Sequence, residues 1–253
     1  MRSLARPPYR VPALAGTFWQ HADLTWHEAF TVQPVPPRWL VLGTGVFALL
    51  VVASPRVWPA ARTVVTIVHE GGHALIALAT GRRLGGVRIY RSTAGETRSA
   101  GRADGAGAAL TAAAGYVAPP LLGLGAAAML AIGHLTAMLL LSLLLLAGLA
   151  IAIRNAYGMV AVLAALVTVA AVSLYAPATV QAGFGYVMTW FLLLGGIRPV
   201  IELGRERRHR WGGGRSDADQ LARLTSVPGG AWVMIFGLVA VAALAVSARW
   251  LVR

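Results

Sequence analysis

The chain has 253 residues, of which 57% are hydrophobic and only 12% are charged. This composition is too apolar for a soluble domain and is typical of a protein that crosses a membrane several times. The net charge of +13 comes from arginine without any lysine, and the absence of cysteine excludes disulfides and thiolate metal sites.

The N-terminal segment differs from the rest of the chain. Residues 1–37 are rich in proline and arginine, and they contain no apolar core of the length that a signal peptide requires. We therefore interpret residues 1–37 as a cytoplasmic tail and residues 38–253 as one transmembrane domain.

Seven apolar stretches follow, and most are long enough to cross a bilayer as a helix. They are residues 39–53, 61–80, 106–132, 135–153, 157–175, 184–197 and 231–248. Pro119-Pro120 is expected to break the third stretch, and Arg198-Pro199 is expected to end the sixth. The predicted fold class is an all-α polytopic membrane protein with about seven transmembrane helices.

Two polar segments interrupt the apolar pattern. Within residues 81–105, the stretch 87–91 alternates like a strand, and Thr93-Ala-Gly-Glu-Thr97 is typical of a turn. This pattern predicts a small cytoplasmic β-hairpin after the second helix. Residues 202–228 are predicted to form a hydrophilic connection before the last span.

The arginines are distributed unevenly over the connections. With seven spans and a cytoplasmic N-terminus, the external side would keep only Arg56, Arg62, Arg249 and Arg253. The positive-inside rule then predicts a cytoplasmic N-terminus and an external C-terminus. Because topology and contact with anionic lipid account for the charge, we expect membrane lipid as a partner and no nucleic acid.

The second apolar stretch contains the motif His69-Glu70-Gly-Gly-His73. On a helix, histidines at i and i+4 lie on one face, where two neutral imidazole rings can bind one zinc ion. Glu70 lies beside them and can accept a proton from a water molecule. Because ionisable groups are expensive inside a membrane helix, the motif predicts a functional site with His69 and His73 as zinc ligands and Glu70 as general base.

A hydrolytic zinc site needs a third protein ligand and one open position. The 202–228 connection offers Asp217 and Asp219, but Ser216-x-x-Asp219 also matches a capping box that would occupy Asp219. Asp217 is therefore the preferred third ligand, with Asp219 and Asp104 as alternatives.

Three further residues are candidates for the surroundings of the site. Arg154 and Asn155 end the fourth apolar stretch and could orient a ligand or bind a substrate carbonyl, although an interfacial helix end explains them equally well. Tyr116 follows Gly115 in the third stretch and could support the site from a neighbouring helix, although packing explains it as well.

His69-Glu70-Gly-Gly-His73 in a membrane helix resembles the site-2 protease class of intramembrane zinc metalloproteases, the M50 peptidases, and most closely its bacterial M50B-like branch. The resemblance covers about residues 64–253. Weaker support comes from four other segments, which are Gly86-Val-Arg-Ile, Gly115-Tyr116, Arg154-Asn155 and Ser216-Asp-Ala-Asp-Gln-Leu-Ala.

In that class two histidines and one aspartate bind zinc and the glutamate is the general base, which implies the same roles for His69, His73 and Glu70. The class usually takes its aspartate from an Asp-Gly motif in an apolar helix. Here Asp104-Gly105 lies in a polar segment, so Asp217 is assigned by its position.

The resemblance implies a zinc metalloendopeptidase in a bacterial cytoplasmic membrane that hydrolyses peptide bonds of transmembrane protein substrates. Two alternatives remain open, which are a catalytically inactive scaffold of the same fold and an ion or proton transporter that uses the His-Glu-His cluster. The strand at residues 87–91 could pair with an extended substrate or could be an ordinary surface hairpin.

Overall fold

The computed structural model describes residues 31–209 and 216–253, so most of the predicted 1–37 tail lies outside the described residues. Within these ranges the chain forms eight helices and two strands. In chain order they are α1 (Arg38–Ala53), α2 (Trp58–Ala79), β1 (Arg83–Ile89), β2 (Gly95–Ala100), α3 (Ala106–Ala131), α4 (Leu135–Ala152), α5 (Ala156–Tyr175), α6 (Ala178–His209), α7 (Asp217–Thr225) and α8 (Gly229–Leu251). The mostly helical architecture and the small hairpin are confirmed.

The predicted break in α3 is wrong. Pro119 and Pro120 are buried inside a helix that continues to Ala131. α3 is central in the bundle, because it packs against α2, α6 and α8, and Gly196 of α6 lies against the ring of Pro120. Packing on several sides outweighs the helix hydrogen bonds that the two prolines remove.

The predicted end of the sixth helix at Arg198-Pro199 is also wrong, because α6 continues through Pro199 to His209. The Arg198 guanidinium donates to Glu202 Oε1 at 3.1 Å, one turn further along, and to the main-chain carbonyl of Val52 in α1. These contacts hold the helix together beyond the proline. Much of the predicted 202–228 connection is therefore helical, as the end of α6 and as α7.

Seven spans are not confirmed. In the part of the chain that the structure describes, five helices, α3, α4, α5, α6 and α8, are long and apolar enough to cross a membrane. α1 and α2 meet at a bend of 104° and can together count as a sixth span, either broken or re-entrant. The difference arises because α1 has only 16 residues, while α2 is interrupted by the ionisable residues of the motif.

Consecutive spans run in opposite directions, so the two ends of the bundle can be told apart. One end, called the hairpin end here, contains the hairpin together with the start of α3, the α4–α5 junction, the end of α6 and the start of α8. At the opposite end, Gln33 N donates to the carbonyl of Gly133 at 2.8 Å, and Arg38 Nη2 donates to the carbonyl of Arg253 at 2.7 Å. α1 therefore begins beside the end of α8, which disagrees with the predicted placement of the two on opposite sides. The bent pair α1–α2 thus begins at the opposite end and leads into the hairpin.

The hairpin packs onto the bundle through β1. β1 and β2 pair in antiparallel fashion, and the turn is closed by a hydrogen bond from Tyr90 N to the carbonyl of Ala94 at 2.9 Å. Val87 and Ile89 are fully buried in a cluster with apolar residues of α2, α4 and α5. The alternation predicted at residues 87–91 thus marks a strand with one buried face.

The edge of β1 that faces away from β2 is occupied as well. Arg154 N donates to the carbonyl of Val87 at 2.8 Å, and Val87 forms a parallel bridge with Ile153. The side chain of Asn155 accepts from Ile89 N at 3.2 Å and donates to Ile89 O at 2.7 Å, as a neighbouring strand would. β1 therefore lies between β2 and the α4–α5 junction, and its main chain offers no free edge.

Candidate metal centre

The motif of α2 brings two imidazole rings together on one face of the helix. The Nε2 atoms of His69 and His73 are 3.1 Å apart, and the rings meet edge to face. Glu70 and His73 are buried, with only 4% and 8% of their surface exposed. The spacing of the motif thus gives the side-by-side histidines that the sequence predicts.

A carbonyl on α3 sets the orientation of His73. Its Nδ1 lies 2.6 Å from the main-chain oxygen of Thr111. Since a carbonyl oxygen can only accept, Nδ1 carries the proton and the neutral ring presents the lone pair of Nε2 to the other side. A hydrogen bond of this type fixes ring orientation and tautomer in metal-binding histidines.

Asp217 in the first turn of α7 completes a three-donor cluster. Its Oδ2 atom lies 3.2 Å from His69 Nε2 and 3.3 Å from His73 Nε2. Among the residues that the structure describes, these three are the group able to hold a metal ion. Asp217 reaches both histidines although it follows them by more than a hundred residues along the chain.

The cluster fits zinc in both chemistry and size. Zinc accepts imidazole nitrogen and carboxylate oxygen, with bonds of about 2.0–2.2 Å in a tetrahedral arrangement. Ligand atoms around such an ion lie roughly 3.3 Å apart, close to the 3.1, 3.2 and 3.3 Å separations of the three donors. Three lone pairs that converge in this way would repel one another without a cation or a proton between them.

Gly115 keeps α3 thin where it passes the two rings. A Cβ atom at this position would lie 2.5 Å from His69 Nε2 and closer still to His73 Nε2. Glycine is therefore required by space, because any side chain would occupy the position towards which the donor atoms point.

The Gly115→Ala variant is expected to lose metal binding, because the added methyl group collides with both Nε2 atoms. The matched control is Gly125→Ala in the same helix, where an added Cβ meets nothing within 4 Å. Zinc content of the two purified variants is the measurement, and a normal zinc content in Gly115→Ala would contradict this description of the centre.

Glu70 points to the hairpin rather than to bulk lipid. Thr97 Oγ1 in β2 donates to Glu70 Oε2 at 2.5 Å and lies 3.2 Å from the main-chain oxygen of Glu70. A Cβ at Gly95 would lie 2.5 Å from Glu70 Cγ and Cδ. The hairpin thus covers the carboxylate and holds one of its oxygens.

Sequence analysis did not single out Thr97 or Thr111 as site residues. Both are small polar residues in segments of ordinary composition, and only the folded chain brings them to Glu70 and His73. Thr97 does belong to the predicted turn of the hairpin that follows the motif-bearing helix. This nearness in sequence was the one signal that could have pointed to Thr97.

The chain matches a known protein family. A family model described as Peptidase M50B-like matches residues 42–247. The chain belongs to this family. No curated protein and no solved structure matches it. Membership, together with the apolar helices, supports an integral membrane protein of the metallopeptidase class.

The two alternative ligands of this M50B-like chain, Asp219 and Asp104, lie elsewhere. Asp219 forms the capping box with Ser216 that the sequence predicts, and it also pairs with Arg207. Burial alone would raise the pKa of Asp219, but hydrogen bonds from Ser216 and Arg207 hold it below its usual value. Asp104 is exposed and lies near Arg102. Neither of the two alternative ligands joins the histidines.

Arg154 and Asn155 contact main-chain groups of β1 and α4. Arg154 Nη1 donates to the carbonyls of Ile151 and Ile153 at 2.6 and 3.1 Å, as expected of a helix end. Asn155 holds β1 through both of its side-chain atoms. In this M50B-like fold the pair fixes the hairpin to the bundle, and a substrate-binding role stays a prediction.

Tyr116 supports the centre by packing. Its ring meets His69 edge to face, with centroids 4.9 Å apart, and stacks on Phe236 of α8 at 5.1 Å. The ring of Tyr116 thus lies between His69 of α2 and Phe236 of α8, and a role beyond packing stays a prediction.

Proposed function

We propose that this M50B-like chain is an intramembrane zinc metallopeptidase that hydrolyses peptide bonds of transmembrane protein substrates. The convergence of His69, His73 and Asp217, with Glu70 adjacent on the same helix, is the observation that carries the proposal. The family supports the metallopeptidase class, and the donor set fits the metal that this class uses.

In this proposal His69, His73 and Asp217 hold zinc, which when bound makes a water molecule more acidic and polarises the substrate carbonyl. Glu70 accepts the proton of the attacking water and delivers it to the leaving amine as the C–N bond breaks. The Thr97 hydroxyl donates to Glu70 Oε2 and thereby fixes the carboxylate beside β2.

The edge of β2 that faces away from β1 offers a binding position for the substrate beside Glu70. Among the described residues, β2 has no main-chain hydrogen bond to an element other than β1. Because strands alternate, the main-chain groups of Gly95, Thr97 and Ser99 point to this free edge. An extended substrate can pair there, in place of the pairing with residues 87–91 that the sequence suggested.

The proposal is tested with purified protein in detergent and in liposomes that contain model transmembrane peptides with helix-destabilising residues. We expect about one zinc ion per chain and peptide cleavage that stops on chelation and returns with zinc. Zinc without cleavage of any peptide in a broad panel would favour the scaffold hypothesis. A proton flux that depends on Glu70, without cleavage, would favour the transporter hypothesis.

Arginine distribution supports an orientation with the hairpin end in the cytoplasm. Leaving aside residues 39–79 and Arg198 within α6, the described arginines at the opposite end are Arg38 at the start of α1, Arg249 and Arg253. Those of the connections at the hairpin end are Arg82, Arg83, Arg88, Arg91, Arg98, Arg102, Arg154, Arg205, Arg207, Arg208 and Arg223. We therefore infer that α1 begins and α8 ends on the external side, unlike the seven-span prediction.

Single-cysteine labelling tests this orientation, because the chain has no cysteine of its own. In intact cells a membrane-impermeant maleimide is expected to label Val252→Cys at the end of α8. Ala94→Cys in the exposed hairpin turn should react only after the cells are permeabilised. Labelling of Ala94→Cys in intact cells would reverse the orientation.

A further inference from the structure

Asp217 lies at the start of a short helix, and so short a helix makes few contacts that could fix the position of its first turn. α7 has nine residues and is separated from α6 by residues 210–215, which lie outside the described ranges. His69 and His73, by contrast, lie within a helix of 22 residues. The position of the third donor therefore depends on what holds the first turn of α7.

The contact that holds this turn comes from the last part of α6. The Arg207 guanidinium donates to Asp219 Oδ1 and lies 3.4 Å from Ser216 Oγ. Asp219 Oδ2 in turn accepts from Ser216 Oγ at 2.7 Å and from Ser216 N at 3.2 Å. Arg207 thus contacts the residue before Asp217 and the residue two positions after it.

Arg207 also lies where a third helix begins. A Cβ at Gly229, the first residue of α8, would lie 2.8 Å from the Arg207 guanidinium carbon and 3.1 Å from the carbonyl of Ala218. The guanidinium therefore fills the corner between the end of α6 and the starts of α7 and α8. Its side chain is 27% exposed and that of Asp219 is 14% exposed, so water screens this ion pair only in part.

We infer that Arg207 is the positioning residue for Asp217, and that its contacts with Ser216 and Asp219 keep the Asp217 carboxylate at the two histidines. This inference rests on the proposed zinc centre. Arg207 does not touch the three donors and acts through the first turn of α7. Apolar packing of Ala218 and Leu221, both fully buried, holds the helix against α3, α6 and α8, and Arg207 adds polar contacts to Ser216 and Asp219.

The inference predicts weaker metal binding by a protein that is otherwise intact. Loss of an outer-shell partner typically costs roughly 10–100-fold in metal affinity, and we expect Arg207→Ala to fall in that range. Arg207→Lys keeps the charge but loses the planar fork, so it should recover part of the affinity. The matched control is Arg208→Ala, which removes an exposed arginine from the same helical turn.

The experiment measures Zn²⁺ affinity by chelator competition on the full-length purified protein, together with the visible absorption spectrum after Co²⁺ loading. The inference is supported if Arg207→Ala loses Zn²⁺ affinity by at least about tenfold and its Co²⁺ spectrum is altered, while the melting temperature of the metal-free protein is preserved. In addition, Arg207→Lys should recover part of the Zn²⁺ affinity, and Arg208→Ala should have the affinity of the wild type. Equal affinities in Arg207→Ala and Arg208→Ala would overturn the inference. So would a loss of affinity that accompanies general unfolding of the metal-free Arg207→Ala protein.

The outcomes separate this inference from the function on which it rests. If wild-type protein binds neither Zn²⁺ nor Co²⁺, the proposed metallopeptidase fails and the role of Arg207 fails with it. If wild type and Arg207→Ala bind zinc equally well and both cleave substrate, the metallopeptidase stands and only the positioning role is lost.

Discussion

Glu70→Gln is expected to stop peptide cleavage while the zinc content stays at its wild-type level. The amide keeps the shape of the carboxylate and its oxygen can still accept from Thr97, so the packing under the hairpin is preserved. It cannot accept a proton from water. Since general base catalysis contributes about 10²–10⁴-fold, turnover should fall by at least that range.

The matched control for this variant is Glu206→Gln, which changes an exposed glutamate of α6 in the same chemical way. Cleavage rate and zinc content are measured on the same preparations. Cleavage by Glu70→Gln at the rate of Glu206→Gln would remove Glu70 from the mechanism, and loss of zinc in Glu70→Gln would show that its carboxylate belongs to the metal centre.

The second large effect is expected from Asp217→Ala, which should lose zinc together with all cleavage. The variant removes one of three donors, so its metal affinity should fall by more than the roughly 10–100-fold that loss of an outer-shell partner costs. In this variant the two imidazoles keep their positions, with Nε2 atoms 3.1 Å apart and the His73 ring oriented by Thr111 O. Two donors of this kind still bind zinc weakly, so a low residual zinc affinity is expected.

Asp104→Ala is the control for the third ligand, because Asp104 was an alternative in the sequence and is exposed near Arg102. It should bind zinc like the wild type. Retention of full zinc affinity in Asp217→Ala, measured by chelator competition, would require a different third ligand.

The parts of the site that follow local rules were predictable from the sequence. The spacing of His69 and His73 places both rings on one face of any α-helix, and Glu70 must then lie beside them. Asp217 was predicted by elimination, because the Ser216-x-x-Asp219 pattern assigned the neighbouring carboxylate to capping, and the structure shows that capping box. The hairpin followed from alternation and turn chemistry.

What depended on packing between distant elements could not be predicted. By local rules Pro119 and Pro120 predict the end of a helix. Contacts with α2, α6 and α8 nevertheless keep α3 continuous. The bend between α1 and α2 lies at the proline-containing segment 54–59, but its angle of 104° is not given by the sequence. Hydropathy therefore predicts seven spans, whereas the described residues contain five candidate spans, or six with the bent pair.

The separation of the donors along the chain also affects biosynthesis. His69, Glu70 and His73 are made early, whereas Asp217, the first residue of α7, follows only after both strands and four further helices have been synthesised. A nascent chain that has reached the end of α6 therefore contains the histidines and the glutamate but lacks the carboxylate. The centre stays incomplete while the preceding helices are being inserted, and its donor set is assembled only once α7 has emerged.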